Sequence, residues 1–391
     1  MDMPSPQALE WLTRLVALDT TSRESNLPLV DAVAAHAREL GLVPRLVPSA
    51  DGGKANLVVS IPDAAGAVSG GVLLSGHTDC VPVDGQAWAS DPYTVTERGG
   101  RLYGRGTADM KGFIACCLAA LPALLARPLR EPVHLALSYD EEVGCVGAPP
   151  LVAALHEAGL SPRLGFVGEP TGMRMIRGHK SINVAHVTLT GVAAHSSLTT
   201  QGVNAIEYGA EIVRYWRSRA DAWRTGGPFD GAYPVPYASA SVNRIDGGNA
   251  VNTVPQRCRI SLEFRALPGM DDAAELAALV NFCRGVEGRM RAENPAASVV
   301  VDVAAQTVGL DVDRDADIVR LGEALGLEAL DDKVTYGTEA GLFTEGGIPC
   351  VVCGPGDIAD AHRADESVEL AQLAACEAFL GRLIEHLRAP R

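Results

Sequence analysis

The spacing of hydrophobic positions changes several times along the chain, and each change marks a change of element. At the start, Leu9, Leu12 and Val16 recur on one helical face, behind Ser5 as a candidate N-cap and Pro6 at the first helical position. A second amphipathic helix is predicted over 29–40. Short apolar runs at 56–61, 71–76, 132–140 and 163–168 then read as buried strands, separated by helical stretches near 110–126 and 147–158. This alternation predicts an α/β architecture: a mixed, largely parallel sheet covered by helices.

From about Gly178 the pattern differs. A strand over 182–190 is followed by a helix over 204–219, with Ile206, Val213 and Trp216 on one stripe, and by a strand near 237–245. Cys258, Ile260, Leu262 and Phe264 alternate with Arg257, Arg259, Ser261 and Glu263, the pattern of a half-buried strand. A helix over 271–291 and a strand over 298–303 complete a strand-helix-strand-strand-helix-strand order, which predicts a ferredoxin-like α+β unit. After about Ala305 the chain returns to helix and buried strand, notably 348–353 and a closing helix over 366–387. The expected organisation is a first domain in two parts, 1–177 and 306–391, with an inserted domain over 178–305. No internal repeat interrupts this, and the Gly/Pro-rich stretch 225–236 is the best loop candidate.

Composition narrows the function classes. A chain of 391 residues suits two domains, and 47% hydrophobic with 21% charged residues is ordinary for a globular protein. Forty-eight acidic against 33 basic side chains give a formal charge of −15. That field repels nucleic acid and anionic membrane and favours divalent cations and small molecules. The first twenty residues lack a basic segment followed by an apolar block, and no stretch is apolar enough to span a bilayer, so a cytoplasmic location is expected. Nine cysteines, an odd number spread over predicted strands and helices, are expected to be reduced. Cys350 and Cys353 form a C-x-x-C, but a strand would point them to opposite faces, which favours a structural role over a redox one.

Polar residues that carry chemistry gather at the ends of the predicted strands. Ser75-Gly76-His77-Thr78-Asp79 ends one of them, placing two polar side chains on the same face. Asp79 is placed to hold the ring N–H of a metal-binding His77, although a satisfied polar pair would look the same. Gly104-Arg105-Gly106-Thr107-Ala108-Asp109-Met110-Lys111-Gly112 delivers Asp109 before an apolar helix, where it is a ligand or a helix cap. The strand before Asp140-Glu141-Glu142 ends in three successive carboxylates, which repel one another unless a cation is present. Gly168-Glu169-Pro170 ends another strand, and Asp360-Ala361-His362 follows a Gly-Pro-Gly turn.

Taken in order, these motifs resemble those of the acetylornithine deacetylase and succinyl-diaminopimelate desuccinylase family of metal-dependent amidohydrolases, over nearly the whole chain. The resemblance implies a zinc-exopeptidase-like catalytic domain with an inserted lid and dimerisation domain. It implies two Zn2+ ions per subunit, with Co2+ able to substitute: His77 and Glu169 on one, Glu142 and His362 on the other, Asp109 bridging, and a shared activated water. That leaves Glu141 as general base, with Asp79 supporting catalysis. His195, in Gly191-Val192-Ala193-Ala194-His195-Ser196-Ser197, is otherwise a turn residue; the resemblance makes it a donor to the developing oxyanion, often from the partner subunit of a homodimer.

Substrate contacts are sparser in the pattern. Arg265 suits an α-carboxylate, with Asn249 and Asn252 adding hydrogen bonds, against a surface ion pair and turn asparagines. The block from Tyr336 to Phe343, with Gly178-His179-Lys180, looks like the acetylornithine branch, and Glu339 is a candidate for the cationic end of ornithine or simply an acid in a helix's first turn. Cys80 stands where many members of the family have threonine, and packing is its expected role. The reaction implied is cleavage of N2-acetyl-L-ornithine to L-ornithine and acetate, in arginine biosynthesis. A desuccinylase, another N-acyl-amino-acid deacylase or a dipeptidase would share the ligands, and a silent binder would have no use for Glu141.

Overall fold

The computed structural model describes residues 3–388. Two compact units emerge. The first takes in the chain through Gly178, Leu310–Asp332 and the residues from Thr338 onward; the second consists of His179–Gly309 and Lys333–Gly337.

The first unit is built on a six-stranded sheet in the order Arg45–Pro48, Ala55–Ile61, Val133–Ser138, Val72–His77, Leu164–Pro170, Cys350–Gly354. The last four run parallel, and the first two pair antiparallel at one edge. Every residue of Val72–His77 and Val133–Ser138 is buried, as strands covered on both faces require. The helix Lys111–Leu125 is buried nearly all round, between the sheet and the helices Pro6–Val16 and Leu370–Leu387. At the N-cap of Pro6–Val16, Ser5 Oγ accepts from Ala8 N at 3.1 Å, and Pro6 opens the first turn. Phe166 on the sheet meets Phe379 edge-on at 5.0 Å.

The second unit carries a four-stranded antiparallel sheet in the order Ser239–Gly247, Arg257–Arg265, Asn183–Thr190, Ser298–Gln306, with the helices Ala205–Gly226 and Asp272–Glu293. In chain order the strands lie 2-3-1-4, the ferredoxin-like arrangement. Trp216, Trp223 and Phe264 fill its core with ring centroids 5.6 to 6.1 Å apart. Trp223 extends the apolar stripe, so the first helix runs past Arg219 and stops only at Gly227.

Two expectations need correction. The closing helix begins at Leu370, not Glu366, because Ser367–Glu369 pairs with Arg101–Tyr103 in a three-stranded sheet and buries Val368. The edge strand Arg45–Pro48 was not anticipated: it is four residues long and largely exposed, so its Leu46 and Val47 set up no burial period. The helices expected in the last part of the chain include Asp317–Ala324 and Ala340–Glu345, the latter starting directly after Glu339. No helix among the described residues is long and apolar enough to cross a membrane.

Candidate metal centre

Four parallel strands end on the same edge of the sheet, and each ends in polar groups. His77 is the last residue of its strand, Glu169 the penultimate one of another, Asp140-Glu141-Glu142 follow Val133–Ser138, and His362 follows Cys350–Gly354. The carboxyl edge of a parallel sheet is where such folds place ligand sites. Asp109 reaches the same place from the loop preceding Lys111–Leu125. Gly168 keeps that helix close, since a Cβ there would sit 2.0 Å from Phe113 Cγ.

His77 is buried, with Nε2 at 3.0 Å from Asp109 Oδ1 and 3.7 Å from Glu169 Oε1. His362 Nε2 lies 3.1 Å from Asp109 Oδ2 and 2.9 Å from Glu142 Oε2. The carboxylate of Asp109 thus stands between the two imidazoles. Ligand atoms of His77, Asp109 and Glu142 fall within 4.8 Å of one another, as do those of His77, Glu141 and Glu169.

Asp79 does more than its spacing suggested. The His77 Nδ1 proton meets the main-chain oxygen of Asp79 at 3.0 Å, while the carboxylate stands 3.6 Å away. That carboxylate instead accepts the main-chain N–H of Glu141 at 3.0 Å and of Glu142 at 3.2 Å, together with the Ser22 hydroxyl at 2.7 Å. It fixes the turn that carries both glutamates. Asp140, at φ 54°, starts that turn and pairs with Lys54. The Cys145 thiol points at Glu141 Oε1 at 3.4 Å.

Electrostatics mark the cluster as incomplete without positive charge. Burial pushes the carboxyls of Glu141 and Glu169 well above the usual range, and neighbouring carboxylates add to it. Glu142 is pushed up to about 7, by burial and then by Asp109. Burial also raises Asp109, but hydrogen bonds from His362 and His77 more than reverse this and leave it low. His362 is raised to about 10 by its hydrogen bonds to Asp109 and Glu142. The imidazoles serve as the counter-charge that a divalent cation would supply. Two nitrogen donors with buried carboxylate oxygens suit such an ion, so the residues present fit a metal pair.

The other expected site residues lie elsewhere or in other surroundings. Glu339, in the first unit, is 1% exposed, and neither carboxylate oxygen has a hydrogen-bond partner among the described residues. Burial raises its carboxyl to about 7. His195, Asn249, Asn252 and Arg265 all belong to the second unit. His195 is exposed; its Nδ1 lies 2.7 Å from the Ser197 hydroxyl and 3.2 Å from the Ser197 main-chain N–H, so Ser197 occupies Nδ1 and Nε2 faces away from this pair of contacts. The Asn252 main-chain oxygen accepts from Ser196 N at 3.0 Å, so this loop packs beside His195, and the side chains of Asn249 and Asn252 are exposed. Arg265 lies 3.7 Å from Glu263. Cys80 is buried, and burial pushes its thiol up.

Sequence reasoning missed Ser22, Cys145, Arg105 and Glu366. Glu366 was absorbed into the closing helix, because the three-residue strand that follows it shows no period of its own. Its fully buried carboxylate accepts from Arg105 and from three main-chain N–H groups of the Asp109 loop.

The sequence model described as peptidase family M20/M25/M40 matches residues 73–386. The chain is 37% identical to an acetylornithine deacetylase of Myxococcus xanthus over 97% of both chains. Identity is 33% with the acetylornithine deacetylase of Klebsiella pneumoniae, over 97% of this chain and 98% of the other. Among solved structures, an M20 family metallo-carboxypeptidase from Sulfolobus solfataricus superposes with a TM-score of 0.73 at 17% identity, covering 97% of this chain and 99% of that one. A dinuclear metal-binding M20 peptidase from Bacillus subtilis gives 0.62 at 14% identity, covering 97% of each.

Proposed function

The chain belongs to peptidase family M20/M25/M40, and from that premise we propose that it hydrolyses the amide of N2-acetyl-L-ornithine to L-ornithine and acetate. The observation that carries the reading is the group of two histidines and four carboxylates at the ends of the parallel strands, its carboxylates and His77 sunk into the protein and His362 facing solvent. Full-length similarity to acetylornithine deacetylases supports the choice of substrate.

In this reading His77 and Glu169 would hold one Zn2+ and Glu142 and His362 the other, with Asp109 contributing to both, and Co2+ would substitute. The bound ions would acidify a water molecule and polarise the acyl carbonyl. Glu141 takes the proton that the attacking water gives up and returns it to the leaving amine. Asp79, by gripping the amides of Glu141 and Glu142, keeps base and ligand in fixed relation. His195 donates its Nε2 proton to the developing oxyanion. Arg265, with Asn249 and Asn252, receives the α-carboxylate. Glu339, a buried carboxyl without a hydrogen-bond partner among the described residues, receives the distal ammonium group. The second unit acts as lid and as the surface of a homodimer, which light scattering checks, and the setting is cytoplasmic arginine biosynthesis.

Glu141 lies close enough to His77 and Glu169 to be a ligand itself, and one variant separates the two roles. Glu141→Ala should keep the wild-type metal content and lose roughly 100- to 10,000-fold in turnover, the range of general acid–base catalysis. Loss of an ion would make Glu141 a ligand, and near-normal turnover would remove it from the mechanism.

A further inference from the structure

The loop that delivers Asp109 is wound around an anion. Glu366 is fully buried, and its two carboxylate oxygens take four hydrogen bonds: Arg105 Nη1 at 2.6 Å, Gly106 N at 3.1 Å, Ala108 N at 2.9 Å and Asp109 N at 3.0 Å. Successive main-chain N–H groups converging in this way form the concavity that other loops use for a phosphate or carboxylate ligand. Here a side chain of the same chain fills it. Gly106 permits the winding with φ 85°, and Thr107 Oγ1 ties back to the Gly104 carbonyl at 2.7 Å.

A buried ion pair is by itself weak evidence of stabilisation, since desolvation offsets most of the attraction. Burial pushes the Glu366 carboxyl up and Arg105 pulls it back. The informative feature is where the donors sit. One is the amide of Asp109, the residue whose carboxylate stands between His77 and His362. The network also continues on the other side: Arg105 Nη2 donates to Gln86 Oε1 at 2.7 Å, and Gln86 Nε2 donates to the main-chain oxygen of His362 at 3.1 Å. One carboxylate therefore restrains the backbone at two separate members of the cluster.

We propose that Glu366 is a positioning residue of the metal centre. Its carboxylate, seated in the N–H concavity, sets the orientation of Asp109 and, through Arg105 and Gln86, that of His362, before any ion binds. Backbone freedom that these two ligands would otherwise lose on ion uptake is removed in advance, so the consequence is tighter ion binding, with turnover following from it. This rests on the metal reading above.

The test is calorimetric titration of Zn2+ into chelator-stripped protein, wild type beside Glu366→Gln and Gln86→Ala. Glu366→Gln keeps the size of the side chain but offers the three N–H groups one acceptor oxygen instead of two. Partners that orient metal ligands typically contribute 10- to 100-fold in affinity, and a loss of about that size is expected with the circular dichroism of the folded protein retained. Gln86→Ala leaves no buried charge unpaired, and should weaken one of the two binding steps, the one involving His362, while sparing the other. Wild-type isotherms from both variants would overturn the inference. Should Glu366→Gln fail to fold, Gln86→Ala decides alone: selective loss supports the inference and an unchanged isotherm overturns it. A wild-type protein that takes up no ion would overturn the metal reading itself, a result distinct from variants that bind as the wild type does.

Discussion

Buried ionisable side chains reveal their work by how they are partnered. The carboxylates at the strand ends face one another and two imidazoles, and the imidazoles carry the compensating charge. His179 shows the opposite case. It is fully buried, donates Nδ1–H to the Lys180 carbonyl at 2.9 Å, and burial lowers its pKa to about 4. In the unfolded chain the same ring titrates near 6.5, so the unfolded state binds the extra proton first as pH falls. The stability contributed by a neutral His179 is complete above about pH 6.5 and is lost on the way down to about pH 4. The difference of pKa corresponds to roughly 3 kcal/mol. Urea midpoints measured from pH 7.5 to 4.5 should fall more steeply for the wild type than for His179→Gln. Parallel slopes would show that the ring is not held neutral.

At the scale of elements, the site depends on a helix lying close to the sheet that carries the ligands. Phe113 of Lys111–Leu125 packs where Gly168 has no side chain, one residue before Glu169. Gly168→Ala forces an overlap with the ring and should destabilise by about 1–3 kcal/mol, the usual cost of overpacking a core. Phe113→Leu in the same chain should recover part of it in thermal unfolding, and no recovery would place the strain elsewhere. Such close packing was only partly legible beforehand. Strands such as Val72–His77 and Val133–Ser138 announce themselves because they are buried on both faces, and with them the strand-end residues His77, Glu141, Glu142 and Glu169. The ferredoxin-like unit was readable from the strict alternation in Arg257–Arg265. Ser367–Glu369 was not readable, because three residues show no period and their pairing with Arg101–Tyr103 is long-range. Glu366 stayed hidden for the same reason: three of its four donors are main-chain N–H groups and the fourth is Arg105, all about 260 positions away, and no local pattern records them. The partners of the Asp79 carboxylate were missed likewise, since two are amides and the third, the Ser22 hydroxyl, lies 57 positions away.

For the whole molecule, an excess of acidic over basic residues that gives −15 and a sheet edge crowded with carboxylates both favour cations, and membership of peptidase family M20/M25/M40 agrees. The central claim is that the cluster on the first unit's sheet is a two-ion centre for cleaving an acyl amino acid amide. Its most direct test adds Zn2+ or Co2+ in steps to chelator-stripped protein and follows amine release from N2-acetylornithine, N-succinyl-diaminopimelate, acetylmethionine, acetylcitrulline and a dipeptide. The account predicts no turnover without metal, a rise that saturates at two ions per chain, and acetylornithine as the fastest substrate. Full activity in stripped protein, or no cleavage of any of the five by protein holding two ions, would contradict it.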